Sequence, residues 1–360
     1  QSFYFDYAQK YFPGLVLAVV ERLNEKRGNS AQTYLYKEKL RPQFSLDGRW
    51  ASILAEYTRV AADVVALDSE LPLKSRDTLE VASGTIPKIG MKLYLTEKQM
   101  KDVDSMIAQG LPLETIINNI FADTPRCIEG IWERIEDIFL SELSSGVGIS
   151  ERNNGTGVRI NMNFYEANQF LVSALWTATT ATPLDDIQKV VDKSIEDSNT
   201  IIDAYADDTA LQLLYKNGQV RAQFAFDQGI AMTASTAIPV LDLSKLQQLF
   251  LTKWNIRLHR VSRRVKTELN GVKQNHNPWK KGTITFVCDE ELGSLVWTNV
   301  AEVNRRVDGV VYQVADEYIL AKKYSKTDPL REFTASEAMV VPVLNNVDRI
   351  YTLDSQTVQE

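Results

Sequence analysis

Histidine, cysteine and long apolar runs are scarce in this sequence, and each scarcity excludes a class of protein. Only two histidines occur, His259 and His276, each among polar or basic neighbours and without a paired acid at metal-ligand spacing. They read as solvated or hydrogen-bonded side chains, not as ligands or general bases. The two cysteines, Cys127 and Cys288, lie far apart in the chain and read as free buried thiols of a reducing compartment, not as a disulfide. No C-x-x-C, H-E-x-x-H, G-x-x-x-x-G-K or G-x-G-x-x-G is present, so no metal site and no cofactor is expected. The best apolar run, Phe12 to Val20, is far shorter than the ~20 residues that span a bilayer, and no membrane partner is expected. Positive charge is not in excess either. A net charge of −7 argues against a protein whose main task is to wrap nucleic acid.

What is present is ordinary globular material, 44% hydrophobic and 24% charged over 360 residues, enough for one large or two moderate domains. The first residue is Gln1, not Met, and the expectation is that residues ahead of it were removed or left out. The most informative stretch is Tyr57 to Met100. Its first half is apolar and β-branched around Val60, Val64 and Val65; a polar kink follows at Asp68-Ser69-Glu70, with Pro72 beyond. The second half runs from Thr78 through Ile86 to Tyr94, broken at Gly84, Pro87 and Gly90. This pattern predicts a long β-hairpin. Thr96 with Gln99 three residues on predicts the start of a helix. A long hairpin feeding directly into a helix has few neighbours of its own, and is expected to be a handle for another chain.

Around that stretch, Pro13 to Glu25 predicts a short helix with an apolar face of Leu15, Val16, Val19, Val20 and Leu23, and Thr33 to Lys39 alternates like a strand. This opening is too poor in apolar residues to fold alone and is read as an arm lying on something else. Ile117, Ile120, Phe121, Ile128, Ile131, Ile135, Ile138 and Phe139 form a helical stripe over Glu114 to Leu143, bent or joined at Pro125 and closed by Ser144-Ser145-Gly146. Val147 to Ser150 and Val158 to Phe164 predict strands around Asn153-Asn154-Gly155. The glycosylation-like Asn154-Gly155-Thr156 is read as turn chemistry. From Trp176 the texture becomes mixed α/β. Helices are expected at Thr182-Pro183-Leu184-Asp185-Asp186, at Thr209 to Lys216 ended by Asn217-Gly218, and from Asp242 to Phe250. Strands are expected at Thr200 to Asp203, Ile256 to Val265 and Thr283 to Cys288, the last two flanking a polar loop from Asn270 to Gly282. Two strands flank Asn345-Asn346 between Glu332 and Leu353.

Candidate chemistry is thin. Asp185-Asp186 and Asp207-Asp208 sit where helices start, which capping and helix dipoles explain. Asp289-Glu290-Glu291 reads as a solvated loop. The basic run Arg257, Arg260, Arg263, Arg264 and Lys266 fits a contact with an acidic partner or a phosphate backbone, or a charged solvated strand face. The acidic whole and the lack of interleaved aromatics favour the solvated face.

The order of these segments resembles the tailed-bacteriophage major capsid proteins, specifically the lambda-like major capsid protein E family. The resemblance is carried by Tyr11-Phe12-Pro13, by Leu67-Asp68-Ser69-Glu70-Leu71-Pro72, by Ile86-Pro87-Lys88-Ile89-Gly90 with Leu95-Thr96-Glu97, and by Trp176 ahead of Thr182-Pro183-Leu184-Asp185-Asp186-Ile187. Thr327-Asp328-Pro329-Leu330-Arg331-Glu332-Phe333-Thr334 with Val341-Pro342-Val343-Leu344-Asn345 completes it, so that it covers about Tyr11 to Leu353; residues 271–282 match nothing in that pattern.

The resemblance implies an α+β chain of the HK97-like capsid fold: an N-arm (1–30), an extended loop with its lead-in (31–95), a peripheral domain with a long spine helix (96–175 and 327–360) and a mixed α/β axial domain (176–326). It implies a non-enzymatic subunit that self-assembles as hexamers and pentamers into an icosahedral shell around double-stranded DNA, without sequence-specific binding. The implied location is the virion shell, assembled in the host bacterial cytoplasm, and the implied partners are further copies, with scaffold, portal and decoration proteins. The charged bend of the extended loop, Asp68, Glu70, Lys74 and Arg76, is the expected inter-subunit contact. Two other classes compete: another phage structural protein, such as a decoration or tail subunit, and a soluble α/β enzyme with a pocket lined by Asp203, Tyr205, Asp207 and Asp208.

Overall fold

The structure, a computed structural model, describes residues 2–25, 34–53, 80–153, 156–227, 229, 240–269 and 271–359. Helices α1 (Phe5–Glu25) and α2 (Leu35–Lys39) open the chain, followed by strands β1 (Leu40–Phe44), β2 (Arg49–Ile53), β3 (Glu80–Thr85) and β4 (Lys88–Leu95). Helices α3 (Glu97–Ala108), α4 (Leu113–Ile120) and α5 (Thr124–Ser145) come next, then β5 (Val147–Asn153), β6 (Thr156–Asn161) and β7 (Gln169–Val172). Helix α6 (Pro183–Glu196), strand β8 (Asp203–Asp207) and helices α7 (Asp208–Lys216), α8 (Gly218–Asp227) and α9 (Leu243–Trp254) follow. The chain then runs through β9 (Arg257–Val261), β10 (Val265–Leu269), β11 (Val272–His276), β12 (Thr283–Val287) and β13 (Gly293–Thr298). A one-turn helix α10 (Ala301–Asn304) precedes β14 (Val311–Ala315), β15 (Ile319–Thr327), β16 (Leu330–Leu344) and β17 (Ile350–Val358). Two compact units result: Gln1–Trp50 with Thr85–Phe139 and Ser294–Pro342, and Ala51–Gly84 with Leu140–Gly293 and Val343–Glu360.

The first unit is organised by a six-stranded sheet of order β1-β13-β16-β15-β14, with β4 also on β16. Val340, Val341 and Val343 are fully buried, the near-continuous apolar pattern of a strand covered on both faces. β16 pairs antiparallel with β15 from Glu337↔Leu320 to Leu330↔Thr327, and with β4 from Glu332↔Leu95 to Met339↔Lys88. Ile128, Ile131, Ile135 and Phe139 of α5 are buried as the stripe requires. Helix α1 begins at Phe5, earlier than the expected Pro13, and carries Pro13 inside it. Burial of Ala8, Phe12, Val16 and Val19 against the core outweighs the backbone bond that Pro13 cannot make.

Thr33 to Lys39 is not the expected strand: Leu35–Lys39 is helical. Its first N–H groups, of Leu35 and Tyr36, are taken by the Glu136 carboxylate of α5 at 3.0 and 3.1 Å, a cap supplied from 100 residues away that no local pattern announces.

The second unit holds a five-stranded sheet of order β7-β17-β12-β8-β9. β12 is antiparallel to β17 and β8, while β17/β7 and β8/β9 are parallel. Helices α6, α7 and α9 begin where the sequence places them. Asp207 and Asp242 cap α7 and α9 through the N–H groups of Ala210 and Lys245. Thr182 makes no side-chain cap for α6; Gln219 accepts the Leu184 N–H at 2.9 Å instead. Asn217 both ends α7 and starts α8, its side-chain oxygen accepting the Gln219 N–H at 2.9 Å, so a stop signal doubles as a start signal. The expected polar loop from Asn270 to Gly282 contains a strand: Val272–His276 pairs antiparallel with Val265–Leu269, turning at Gly271 (φ +79°). A second ribbon, β5–β6, matches the expected hairpin.

Candidate functional site

Of the expected hairpin, the first arm around Val60, Val64 and Val65 lies outside the described residues. β2 and β3 form a two-stranded sheet. The turn before it is pinned by Asp47, which accepts the Arg49 N–H and the Ser45 hydroxyl, and by Gly48, whose carbonyl accepts the Ile86 N–H at 2.9 Å. Leu46, 92% exposed, stands out from this turn. The candidate contact residues Asp68, Glu70, Lys74 and Arg76 lie outside the described residues. The second arm breaks at Ile86-Pro87 into β3 and β4, and β4 pairs with β16 along all of Lys88–Leu95. Lys88–Leu95 of the expected hairpin therefore belongs to the chain's own sheet, and the expectation that it lacks local partners does not hold there. Thr96 closes the arm with a full capping box on Gln99.

The N-terminal segment is latched to the first unit. Buried Glu332 accepts the Ser2 hydroxyl and the Phe3 N–H, and Tyr4 donates its hydroxyl to the Met100 carbonyl at 3.1 Å. Lys323, fully buried, lies 4.0 Å from Glu332 and donates to the Ile120 carbonyl at 3.0 Å and the Thr334 hydroxyl at 3.1 Å. Burial pulls its pKa down to about 8, with Glu332 resisting. Nothing in the local sequence marks this anchor, because its parts come from the two ends of the chain.

The residues that a catalytic reading would need are gathered by β8 and the start of α7. The parallel register sets Asp203 beside Arg257 and Tyr205 beside His259. The buried Asp203 carboxylate accepts two bonds from the Arg257 guanidinium, at 2.7 and 3.0 Å, and one contact from His259 Nε2 at 2.8 Å. The Tyr205 and His259 rings stack with centroids 5.0 Å apart. Asp207 caps α7 and also accepts the Gly282 N–H at 3.1 Å, and Asp208 pairs with Arg260. Each acid is held by a partner in its own fold.

The basic run divides accordingly: Arg257 and Arg260 are paired, while Arg264 and Lys266 are exposed. Asp186, expected at a helix start for capping and dipole reasons, is buried and accepts the Trp176 indole N–H at 3.0 Å and the Ser173 hydroxyl at 2.9 Å. Asp289, expected in a solvated loop, pairs with Arg349 at 2.7 Å.

Cys127 and Cys288 are free and buried, and burial pushes both thiols up to about 12. Among the described residues no group of three or more His, Cys, Asp or Glu could hold a metal, and no helix is long and apolar enough to cross a membrane.

With this architecture in hand, comparison with known proteins separates fold from family. No protein-family model and no curated protein matches the chain. The narrower likeness to lambda-like capsid protein E therefore rests on the sequence segments alone. Solved structures do match. One, assigned as the capsid protein of an E. coli CFT073 prophage, has 12% identity and a TM-score of 0.54, over 94% of this chain and 99% of that one. Another, a phage-related protein from Bordetella bronchiseptica RB50, has 11% identity and a TM-score of 0.51, over 94% and 97% of the two chains. This chain has the HK97-like capsid fold. At such identities the likeness speaks for the fold, and what the fold does in this chain is a separate step.

Proposed function

We propose that this chain is the major capsid protein of a tailed bacteriophage, a non-catalytic subunit that assembles as hexamers and pentamers into an icosahedral shell enclosing double-stranded DNA. The observation that carries the reading is a shared fold over 94% of this chain and 99% of a prophage capsid protein. The acids that an enzyme would need are engaged in helix capping and ion pairs, and this favours the structural role over the enzymatic one. In this reading 1–30 is the N-arm, 31–95 the extended loop, 96–175 and 327–360 the peripheral domain and 176–326 the axial domain. Strands β13, β14 and β15 share the sheet of β16, while β7 and β17 share that of β12 and β8, so the proposal moves Ser294–Thr327 to the peripheral side and Gln169–Val172 and Ile350–Val358 to the axial side.

Closed shells need heterologous contacts that form rings, and the bend at Asp68, Glu70, Lys74 and Arg76 is proposed as one of them. Further copies are the principal partner, and scaffold, portal and decoration proteins are the others; the shell would form in the host bacterial cytoplasm. The chain's net charge of −7 suits a wall that holds DNA without gripping it. Electron microscopy of the expressed protein, with and without a scaffold, tests this. Shells or capsomer rings are expected, and a monomer that turns over a small molecule would sink the reading. Charge reversal at the four bend residues is expected to abolish assembly and leave the monomer's melting unchanged.

A further inference from the structure

Strands β10 and β11 form a two-stranded ribbon separate from the six- and five-stranded sheets. Among the described residues its strands pair only with each other. A lone two-stranded hairpin is marginal in water, and its open edges invite another chain. Four of the five residues of β11 are exposed, and Val272 at the tip is 59% exposed. From Arg263 to Lys273 the segment carries four basic residues, Arg263, Arg264, Lys266 and Lys273, against the single acid Glu268, in a chain of net charge −7.

The complementary surface lies on the last turns of α6. Asp192, Ile195 and Glu196 are exposed together, with Ile195 66% exposed. Their spacing puts them on one helix face. Glu196 ends the helix where the macrodipole disfavours an acid and a cation would offset it. Among the described residues Asp192 accepts only the neutral Gln188 amide, at 2.8 Å, whereas the neighbouring Asp197 is met by Lys193 and Tyr351. One surface is thus a basic ribbon with an apolar tip, and the other an acidic face with an apolar centre.

Within one copy they start from different edges of the same sheet. Helix α6 packs on β17 and β7, at one edge of the five-stranded sheet, while β10 leaves from β9 at the other edge. A contact between opposite ends of one unit is heterologous, and it closes into a ring when the rotation between copies allows.

We propose that the β10–β11 ribbon docks on the Asp192-Ile195-Glu196 face of α6 in a second copy of this chain, head to tail. The contact rests on the shell-forming reading and gives it a specific joint outside the extended loop.

The test uses the full-length chain. With Val272→Cys and Ile195→Cys in one chain, oxidation of assembled particles is expected to give a ladder of covalent multimers on a non-reducing gel, the native thiols being buried. Lys266→Glu with Lys273→Glu is expected to cut the assembled fraction about tenfold or more, with circular dichroism and melting unchanged. Adding Asp192→Lys and Glu196→Lys to that chain is expected to restore assembly.

Particles that assemble normally with unlinked cysteines, or with a disulfide closed within one monomer, would overturn the contact. Shells of Lys266→Glu/Lys273→Glu that form normally but hold less DNA would also overturn it, assigning the ribbon to nucleic acid. If the unaltered chain gives only monomers, the shell reading falls as well; if it gives shells and only the cross-link is missing, the shell reading stands and the ribbon contact alone fails.

Discussion

Strand β16 and ribbon β10–β11 use the same backbone pairing, yet their surroundings are opposite. β16 runs for 15 residues, is flanked by β4, β13 and β15, and is buried along nearly its whole length. The ribbon has five residues per strand, pairs only with itself among the described residues and leaves β11 in solvent. The first is stabilised by its own chain; the second gains little until something covers it. In the proposed shell-forming role both kinds of element have a use, a core that tolerates handling and ribbons with unmet pairing. The contrast can be broken from either side.

The largest effect should come from the core side. Trp132, on α5, is 1% exposed, meets the Tyr34 ring edge-on at 5.8 Å between centroids and carries the Lys37 ammonium 3.2 Å from a ring centroid. Trp132→Ala is expected to lower the unfolding free energy by about 3–5 kcal/mol, read as a shift of the urea midpoint at constant slope. A loss below about 1 kcal/mol would mean that α5 is not part of a self-supporting core.

The next effect depends on pH. The pKa of Lys323 is lowered from 10.5 to about 8 by burial. Between those values the unfolded chain keeps a proton that the folded chain has lost. Stability from this group therefore rises with pH from about 8 to 10.5, by about 1.4 kcal/mol per pH unit. The two thiols, raised from 9.0 to about 12, act in the opposite sense above pH 9, since there the unfolded chain has lost the protons. The difference between the unaltered chain and Lys323→Met isolates the lysine. A flat difference across the window would show that water reaches the ammonium, and that β15 and β16 are less tightly closed than they look.

How much of this was legible in the sequence follows the range of each interaction. The α5 stripe, the capping box at Thr96, the Asp207 and Asp242 helix starts and the strands around Asn345-Asn346 are set by neighbours a few residues apart, and they were readable. Helix α2 was not, because its cap comes from Glu136. The early start of α1 was not, because Pro13 signals a beginning and only the burial of Ala8 and Phe12 against the core overrides it. The β11 strand was hidden by its polarity: Lys273, Gln274 and Asn275 read as loop, and the ladder that makes them a strand is supplied by β10. The acids of the catalytic alternative were visible as residues, but their partners Arg257, Arg260 and Gly282 were not, since the β8/β9 register is set by the sheet.

A smaller effect sharpens the boundary between hairpin and core. Thr96 accepts the Gln99 N–H while Gln99 accepts the Thr96 N–H at 2.9 Å. Thr96→Ala is expected to cost about 1 kcal/mol, visible in thermal melting. Protection of the β4 amides in hydrogen exchange should persist, because β4 is held by eight pairs with β16. Loss of β4 protection in this variant would show that the strand depends on the cap of α3 and not on its pairing with β16.

The smallest expected effect tests the other side of the contrast. Val272→Ser removes an apolar side chain that is 59% exposed at the tip of a ribbon with no further strand beside it among the described residues. The transfer gain lost is slight when the group already faces water, and monomer stability should stay within about 0.5 kcal/mol. If a second copy covers that tip, the same substitution should weaken association while leaving the monomer's melt unchanged. A destabilised monomer would instead place Val272 in its own core, and would erase the distinction between ribbon and sheet.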